Sequence, residues 1–354
     1  MPTLFDPLKV GALTLPNRII MAPLTRARAG VPRVPNALMA EHYAQRASAG
    51  LIISEATSVT PAGVGYEDTP GIWSDEQVEG WKLVTDAVHK AGGRIFMQLW
   101  HVGRISDPMF HNGEPPVSAS AVAAVGHVSL LRPERPYPVP RALETHELAG
   151  VVEAYRKGAE NAKKAGFDGV ELHGANGYLL DQFLQDGSNK RTDQYGGPLE
   201  NRARLMFEAV DAAISVFGAD RVGLHIAPRG DAHSMGDSDL KKTFLYVARE
   251  MGKRGLAFLC SREHKGDDWL TPELKAAFGG VYIANEGFDK ASATAVLEAG
   301  EADAVAFGKA FISNPDLVAR FKTDAELNKW NFATFYVKGA TGYTDYPALE
   351  KASA

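Results

Sequence analysis

The chain holds a single cysteine, Cys260, among 354 residues. No internal disulfide can form, which excludes the small secreted scaffolds that depend on bridges. No apolar run approaches the roughly 18 residues needed to span a bilayer. A basic excess is also missing: 38 Lys and Arg stand against 43 Asp and Glu, for a net charge of −5. Nucleic-acid binders usually carry a basic balance or stripe, and neither is present. The first residues, MPTLFDPLKVGALTLPNR, lack the charged and apolar regions of a secretory signal. A cytoplasmic protein that binds neither nucleic acid nor membrane is expected. Disorder is excluded by the 45% hydrophobic content. No G-x-G-x-x-G follows an apolar run, so a Rossmann dinucleotide site is not expected.

Short apolar runs are plentiful. They cover Ile19–Pro23, Leu51–Ala56, Arg94–Leu99, Gly169–His173, Val222–Ala227, Ala257–Cys260, Val281–Ala284 and Ala304–Gly308. Their unbroken apolarity suits strands buried on both faces of a parallel sheet. Helical spacing fills the intervals 36–49, 75–91, 145–166, 198–218, 238–254, 271–278, 288–299 and 314–322. Thr145 reads as an N-cap, and Gly166 and Gly218 as stops. A prior of roughly 150 residues per domain would give two domains, but α/β barrels are larger single units. Eight alternations favour one closed (β/α)₈ barrel over residues 1–354, with the doubly wound open sheet as competitor. Residues 101–144 have no period and hold seven of the twenty prolines. They follow the third strand, so they are expected to cap the C-terminal face, where barrel active sites sit.

Polar residues at strand C-termini are the first catalytic candidates. His173, Asn176 and Tyr178 fall within six residues of one another after the fourth strand. A His–Asn pair can donate two hydrogen bonds to one oxygen. A tyrosine, protonated near neutrality, can give up a proton; separate structural hydrogen bonds are the plainer alternative. His101 and His173 have no clear third partner for a metal, and none is expected. After strands seven and eight, NEGFDKAS and FGKAFISNP offer Gly287, Gly308 and the cation Lys309 for a phosphate. Cys260, inside strand six, reads as a small buried hydrophobe. Trp81 and Trp330 read as helix packing, and His42, His89, His146 and His264 as surface or packing residues without partners. A barrel hydrolase, an aldolase with Lys309 as its Schiff-base lysine, and a non-catalytic binding protein remain open on these residues alone.

MAPLTR (21–26), QLWHVGR (98–104), HGANGYLLDQFL (173–184), RTDQYGGPLENRARL (191–205) and DAVAFGKAFISNPDL (303–317) together resemble the old yellow enzymes. The likeness runs nearly end to end and is greatest to bacterial members, with glycerol trinitrate reductases among them. It implies a (β/α)₈ barrel with an N-terminal β-hairpin and tightly bound, non-covalent FMN. The implied reaction is NAD(P)H-dependent reduction of alkenes activated by carbonyl or nitro groups, with ping-pong kinetics. NADPH or NADH would serve as transient reductant, and nitrate esters would be further candidate substrates. Pro23, Leu24, Thr25, Ala56 and Gln98 match positions lining the flavin ring, and Thr25 matches the hydroxyl that tunes its potential. His173 and Asn176 match the pair holding the substrate oxygen, and Tyr178 matches the proton donor. Tyr66, Trp100 and Tyr343 match aromatic positions around the substrate. Asn285, Gly287, Gly308 and Lys309 fall where the family binds FMN. The likeness is compatible with a monomer or a homodimer. A dihydroorotate-type dehydrogenase is the competing FMN barrel.

Two departures stand out. His225 takes the place of the usual strand-five Arg near the flavin N1 and O2 edge, and Lys309 replaces the commoner Arg. His225 can gain a proton when the neighbouring flavin gains negative charge, so a pH-dependent potential is expected. Arg229 lies roughly 13 Å farther along at about 3.3 Å per residue, too far to substitute.

Overall fold

The structure, a computed structural model, describes residues 1–230 and 232–349. Eight parallel strands form the barrel: β1 (Ile19–Met21), β2 (Leu51–Ile53), β3 (Ile95–Trp100), β4 (Gly169–His173), β5 (Val222–Ile226), β6 (Phe258–Arg262), β7 (Tyr282–Asn285) and β8 (Ala304–Phe307). Ile20 pairs with Leu51, Phe96 with Gly169, Leu224 with Leu259 and Ile283 with Ala304. Val305 pairs back with Ile19, which closes the ring. The open-sheet alternative is therefore excluded.

Eight helices surround the ring: α1 (Ala37–Gln45), α2 (Asp75–Lys90), α3 (Leu148–Lys164), α4 (Arg204–Phe217), α5 (Leu240–Arg254), α6 (Thr271–Phe278), α7 (Lys290–Glu298) and α8 (Leu317–Thr323). Their starts follow capping chemistry. Asn36, Ser74, Asp239 and Asp289 each accept a backbone N–H of the first turn. Thr145 departs from expectation. Residues Thr145–Glu147 form a 3₁₀ turn ahead of α3, and the Thr145 hydroxyl donates to Asp193 Oδ2 at 2.5 Å. The Glu147 carboxylate instead accepts the Glu144 N–H at 2.7 Å. The stops hold, with Gly166 at φ +86° and Gly218 at φ +82°.

The barrel lumen is filled by side chains, including Ile20, Leu51, Ile53, Phe96, Phe258, Ile283 and Ala304. Phe96 and Phe258 face each other with ring centroids 5.8 Å apart. Two glycines make room for them: a Cβ at Gly169 would lie 2.3 Å from the Phe96 ring, and one at Gly223 equally close to Phe258. Below, the expected hairpin Leu8–Val10/Leu13–Leu15 closes the N-terminal end, with Val10 and Leu15 packed into the lumen core. Among the described residues, no helix is long and apolar enough to cross a membrane.

Segment 101–144 is irregular apart from a 3₁₀ turn (Pro108–Phe110) and the two-residue strands Val117–Ser118 and Arg141–Ala142. It is packed nonetheless. Val102, Ile105, Ala124, Val128, Leu131 and Tyr137 share an apolar cluster with Ala56, Tyr66 and Trp100. Residues after α8 fold back over β1. Buried Arg26 and Arg28 donate to the carbonyls of Phe335 and Gly342 and of Thr334 and Thr341, respectively.

Trp81 is buried between helices, as expected, but Trp330 is 47% exposed and carries the Lys309 ammonium 5.0 Å above its ring. Three of the four partnerless histidines have partners: His42 with the Tyr343 carbonyl, His89 with Asp168 and His264 with Glu286.

Candidate active site

A cavity of about 570 Å³ opens at the C-terminal ends of the strands, a volume in the range of small-molecule sites. Pro23 and Leu24 after β1, Gln98 on β3, His173 and Asn176 at β4, and His225 on β5 all line it. So do Asn285 and Gly287 after β7, and Gly308 and Lys309 after β8. Ten of the residues expected from sequence thus share one wall system. Thr25, Ala56, Tyr66, Trp100 and Tyr178 do not line it: Thr25 is half-buried beyond Leu24, and Ala56, Tyr66, Trp100 and Tyr178 pack together in the cluster under the cap.

The geometry fixes which atoms of the β4 residues can donate. The Ala175 N–H donates to His173 Nδ1 at 3.4 Å, which leaves Nε2 to carry the ring proton. Burial, reinforced by His225, Arg262 and His233, holds His173 well below the usual imidazole range. It is therefore a neutral ring with one N–H to offer. Asn176 sits in the left-handed region at φ +59°, and Gly177 follows at φ +76°. Asn tolerates that conformation better than most residues, and the turn needs it to swing the chain off the strand. The Gly177 N–H is anchored on Asp181 Oδ2 at 2.8 Å.

Above this pair lies an aromatic wall. Tyr178 meets the His173 ring edge-on at 4.9 Å and Trp100 likewise at 4.9 Å. Tyr66 stacks on Trp100 at 5.5 Å, and its hydroxyl is 3.0 Å from that of Tyr178. Burial pushes both phenols above the usual range. Tyr178 is therefore a protonated acid held beside the two N–H donors.

Tyr343, expected in this wall, is elsewhere. It is fully buried, stacked on His42 at 3.9 Å, with the Arg26 and Arg28 guanidinium groups 5.0 and 4.7 Å from its ring. An aromatic in an aperiodic tail gives no signal of direction, and the tail turns this one into the core.

The cavity floor carries charge that the sequence did not advertise. Gln98 Nε2 donates to Glu171 Oε2 at 2.7 Å, so the Gln98 oxygen is left for another partner. His225 Nδ1 is 3.5 Å from the same carboxylate oxygen, and among the described residues neither ring nitrogen of His225 finds a hydrogen-bond partner, although the residue is only 4% exposed. Cys260 completes a buried group with Glu171 and His225, the ligand atoms lying within 4.8 Å of one another. Arg229 is held away from the floor, paired with Glu263 at 2.7 Å and with Asp268.

These features suit a flavin phosphate ester. Buried nitrogens without partners on His225 call for polar atoms from a ligand. At the far end Gly308 permits close approach, since a Cβ there would press on Leu24 at 3.3 Å, and Lys309 supplies a cation. Beyond those ten, the cavity is also lined by Ala22, Ala306, Phe307 and Ala310, by Arg262, Glu286 and Phe288, and by His264, which was expected as a surface or packing residue.

Comparison with known proteins agrees. The sequence matches the NADH:flavin oxidoreductase / NADH oxidase family over residues 3–328. It is 44% identical to a protein of Leishmania infantum described as "Probable flavin mononucleotide-dependent alkene reductase", covering 98% of this chain and 97% of that one. It is 41% identical to 12-oxophytodienoate reductase 1 of Oryza sativa subsp. japonica, over 98% of this chain and 93% of that one. Among solved structures, an old yellow enzyme homologue from Zymomonas mobilis superposes with a TM-score of 0.96 at 45% identity, covering 98% of this chain and all of that one. Morphinone reductase in complex with tetrahydroNAD gives 0.96 at 48% identity, covering 100% and 99%.

Proposed function

Because this chain belongs to the NADH:flavin oxidoreductase / NADH oxidase family and is an FMN-dependent oxidoreductase of the old yellow enzyme type, we propose that it reduces the C=C bond of alkenes conjugated to a carbonyl or nitro group. A nicotinamide is the proposed reductant, the residues act as one FMN-binding unit, and the location is cytoplasmic. The observation that carries the reading is the set of two N–H donors, His173 Nε2 and the Asn176 amide, beside the half-buried acid Tyr178.

FMN held here would supply hydride-transfer chemistry between a nicotinamide and the alkene. Gln98, His225, Asn285, Gly287, Gly308 and Lys309 would hold it, with Pro23 and Leu24 on the ring side. His173 and Asn176 bind the oxygen of the activating group and draw electron density from the β-carbon. Tyr178 gives its phenolic proton to the α-carbon, and Tyr66 hydrogen-bonds the phenol in place. Tyr66 and Trp100 exclude water along the substrate face. One cavity serving reductant and alkene in turn gives ping-pong kinetics. Nitrate esters present an oxygen to the same pair and are proposed as additional substrates.

The test is an anaerobic panel of an enone, a nitroalkene, a maleimide and a nitrate ester, with NADH and with NADPH. The expected result is alkene reduction of the enone and nitroalkene. A flavoprotein that oxidises nicotinamide yet reduces none of the alkenes would overturn the proposal.

A further inference from the structure

The β6 strand ends in an arginine that points into the cavity mouth. Arg262 lies two residues beyond Cys260, a lumen residue, so strand alternation turns it to the same side. Its Nε and Nη2 both meet the Glu286 carboxylate, at 2.5 and 3.0 Å, in a two-pronged contact. The remaining arm, Nη1, donates to Asn176 Oδ1 at 2.9 Å. Glu286 is itself steadied by His264 Nε2 at 3.2 Å.

We propose that Arg262 is a positioning residue for alkene reduction, which sets the Asn176 amide so that its NH₂ group faces the substrate oxygen. A guanidinium has donors only, so the amide atom facing it must be the oxygen. The nitrogen is then turned to the other side, toward the oxygen held jointly with His173. Without Arg262 the amide can rotate and present its oxygen instead, which repels the developing negative charge. The Asn176 backbone is fixed separately, because His233 Nδ1 hydrogen-bonds its carbonyl at 2.7 Å. Arg262 therefore governs the side chain's rotation and leaves the turn in place. The fork to Glu286 restricts the guanidinium to one orientation.

This inference rests on the proposed role of Asn176, and the experiment separates the two. Binding of 4-chlorophenol to the FMN-loaded enzyme is followed by flavin absorbance for wild type, R262M, R262K, E286Q, N176A and the R262M/N176A double variant. R262M is expected to weaken binding about tenfold, about 1.4 kcal/mol. R262K, which still presents only donors to the amide, is expected to stay within about threefold of wild type. E286Q, which loosens the fork while keeping the arginine, is expected to fall between the two and serves if R262M does not load FMN. In the N176A background, R262M should add nothing, the mark of two residues acting as one unit. An equal loss from R262M in both backgrounds would show that Arg262 acts on the ligand directly and overturn the proposal. So would R262M and R262K binding equally weakly, or R262M binding as wild type while N176A does not. Wild-type affinity in N176A would instead overturn the assigned role of Asn176 itself.

Discussion

His225 and Tyr178 show how far one side chain can be read. The His at position 225 was legible as a departure, but its neighbour Glu171 was not. Glu171 sits within the apolar run GVELH, and only the closed barrel brings its carboxylate to 3.5 Å from the imidazole. Facing the ring are Glu171 from β4, Cys260 from β6 and His173 at 5.9 Å. An imidazole beside a carboxylate can take a proton as negative charge builds up above it, whereas an arginine is charged throughout. The flavin midpoint potential of the wild type should therefore fall more steeply with pH between 6 and 8 than that of H225R. Equal slopes, measured by anaerobic redox titration, would count against His225 as the proton site. For Tyr178 the relevant contrast is between half-reactions. Y178F should slow reoxidation by an enone by about 10²-fold or more, the scale of general-acid catalysis. Reduction by the nicotinamide should be nearly unchanged in stopped-flow traces. Equal slowing of both would remove Tyr178 as the specific acid.

At the scale of elements, the strands and helices were legible because parallel strands buried on both faces are unbroken apolar runs between amphipathic intervals. The errors fall at ends, where burial changes. Strand six, read as stopping at Cys260, continues to Arg262. That two-residue error hid the cation contacting Asn176, although counting inward positions by twos from Cys260 would have reached it. The β4 turn hid a second feature. Asp181 is one of two polar positions, with Gln182, in the short helix Leu179–Leu184, yet it is fully buried, accepting from the Gly177 N–H and from Gln185 Nε2 at 2.7 Å. Burial pushes its carboxyl up to about 7. A raised carboxyl binds its proton more tightly in the folded state than in the unfolded one. Its contribution is therefore full below about pH 4 and is lost as pH rises through 7. Between pH 5 and 8 the wild type should lose on the order of 2 kcal/mol relative to D181N. Denaturant melts at the two pH values check this, and a constant difference would contradict the shift. The β8 turn makes its own prediction: K309A should release FMN more readily in ultrafiltration, because it removes the cation at the phosphate end. Unchanged retention would reassign Lys309 to its contact with Trp330.

On the scale of the whole molecule, the barrel is closed by its own sequence pattern, but the tail that follows α8 has none. Residues 325–349 contain no helix longer than the 3₁₀ turn Phe332–Thr334, so neither period nor cap signals where they go. The answer lies in arginines far earlier in the chain. Arg26 and Arg28, just past the cavity-lining end of β1, and Arg46 after α1 satisfy their buried guanidinium groups largely on backbone carbonyls of the later chain. Tyr343 is the side chain those arginines and His42 enclose. It therefore belongs to stability rather than to substrate binding, and the two roles predict opposite results. Y343A should destabilise the fold by about 3–5 kcal/mol, as large aromatic truncations in cores do. The affinity of the folded fraction for 4-chlorophenol should be unchanged. Y343F should be close to wild type in both respects, because the buried Tyr343 hydroxyl has no hydrogen-bond partner among the described residues. Thermal melts and flavin-absorbance titrations on the same preparations separate the two roles. Weakened phenol binding in Y343A, with the melting temperature intact, would return Tyr343 to the substrate wall.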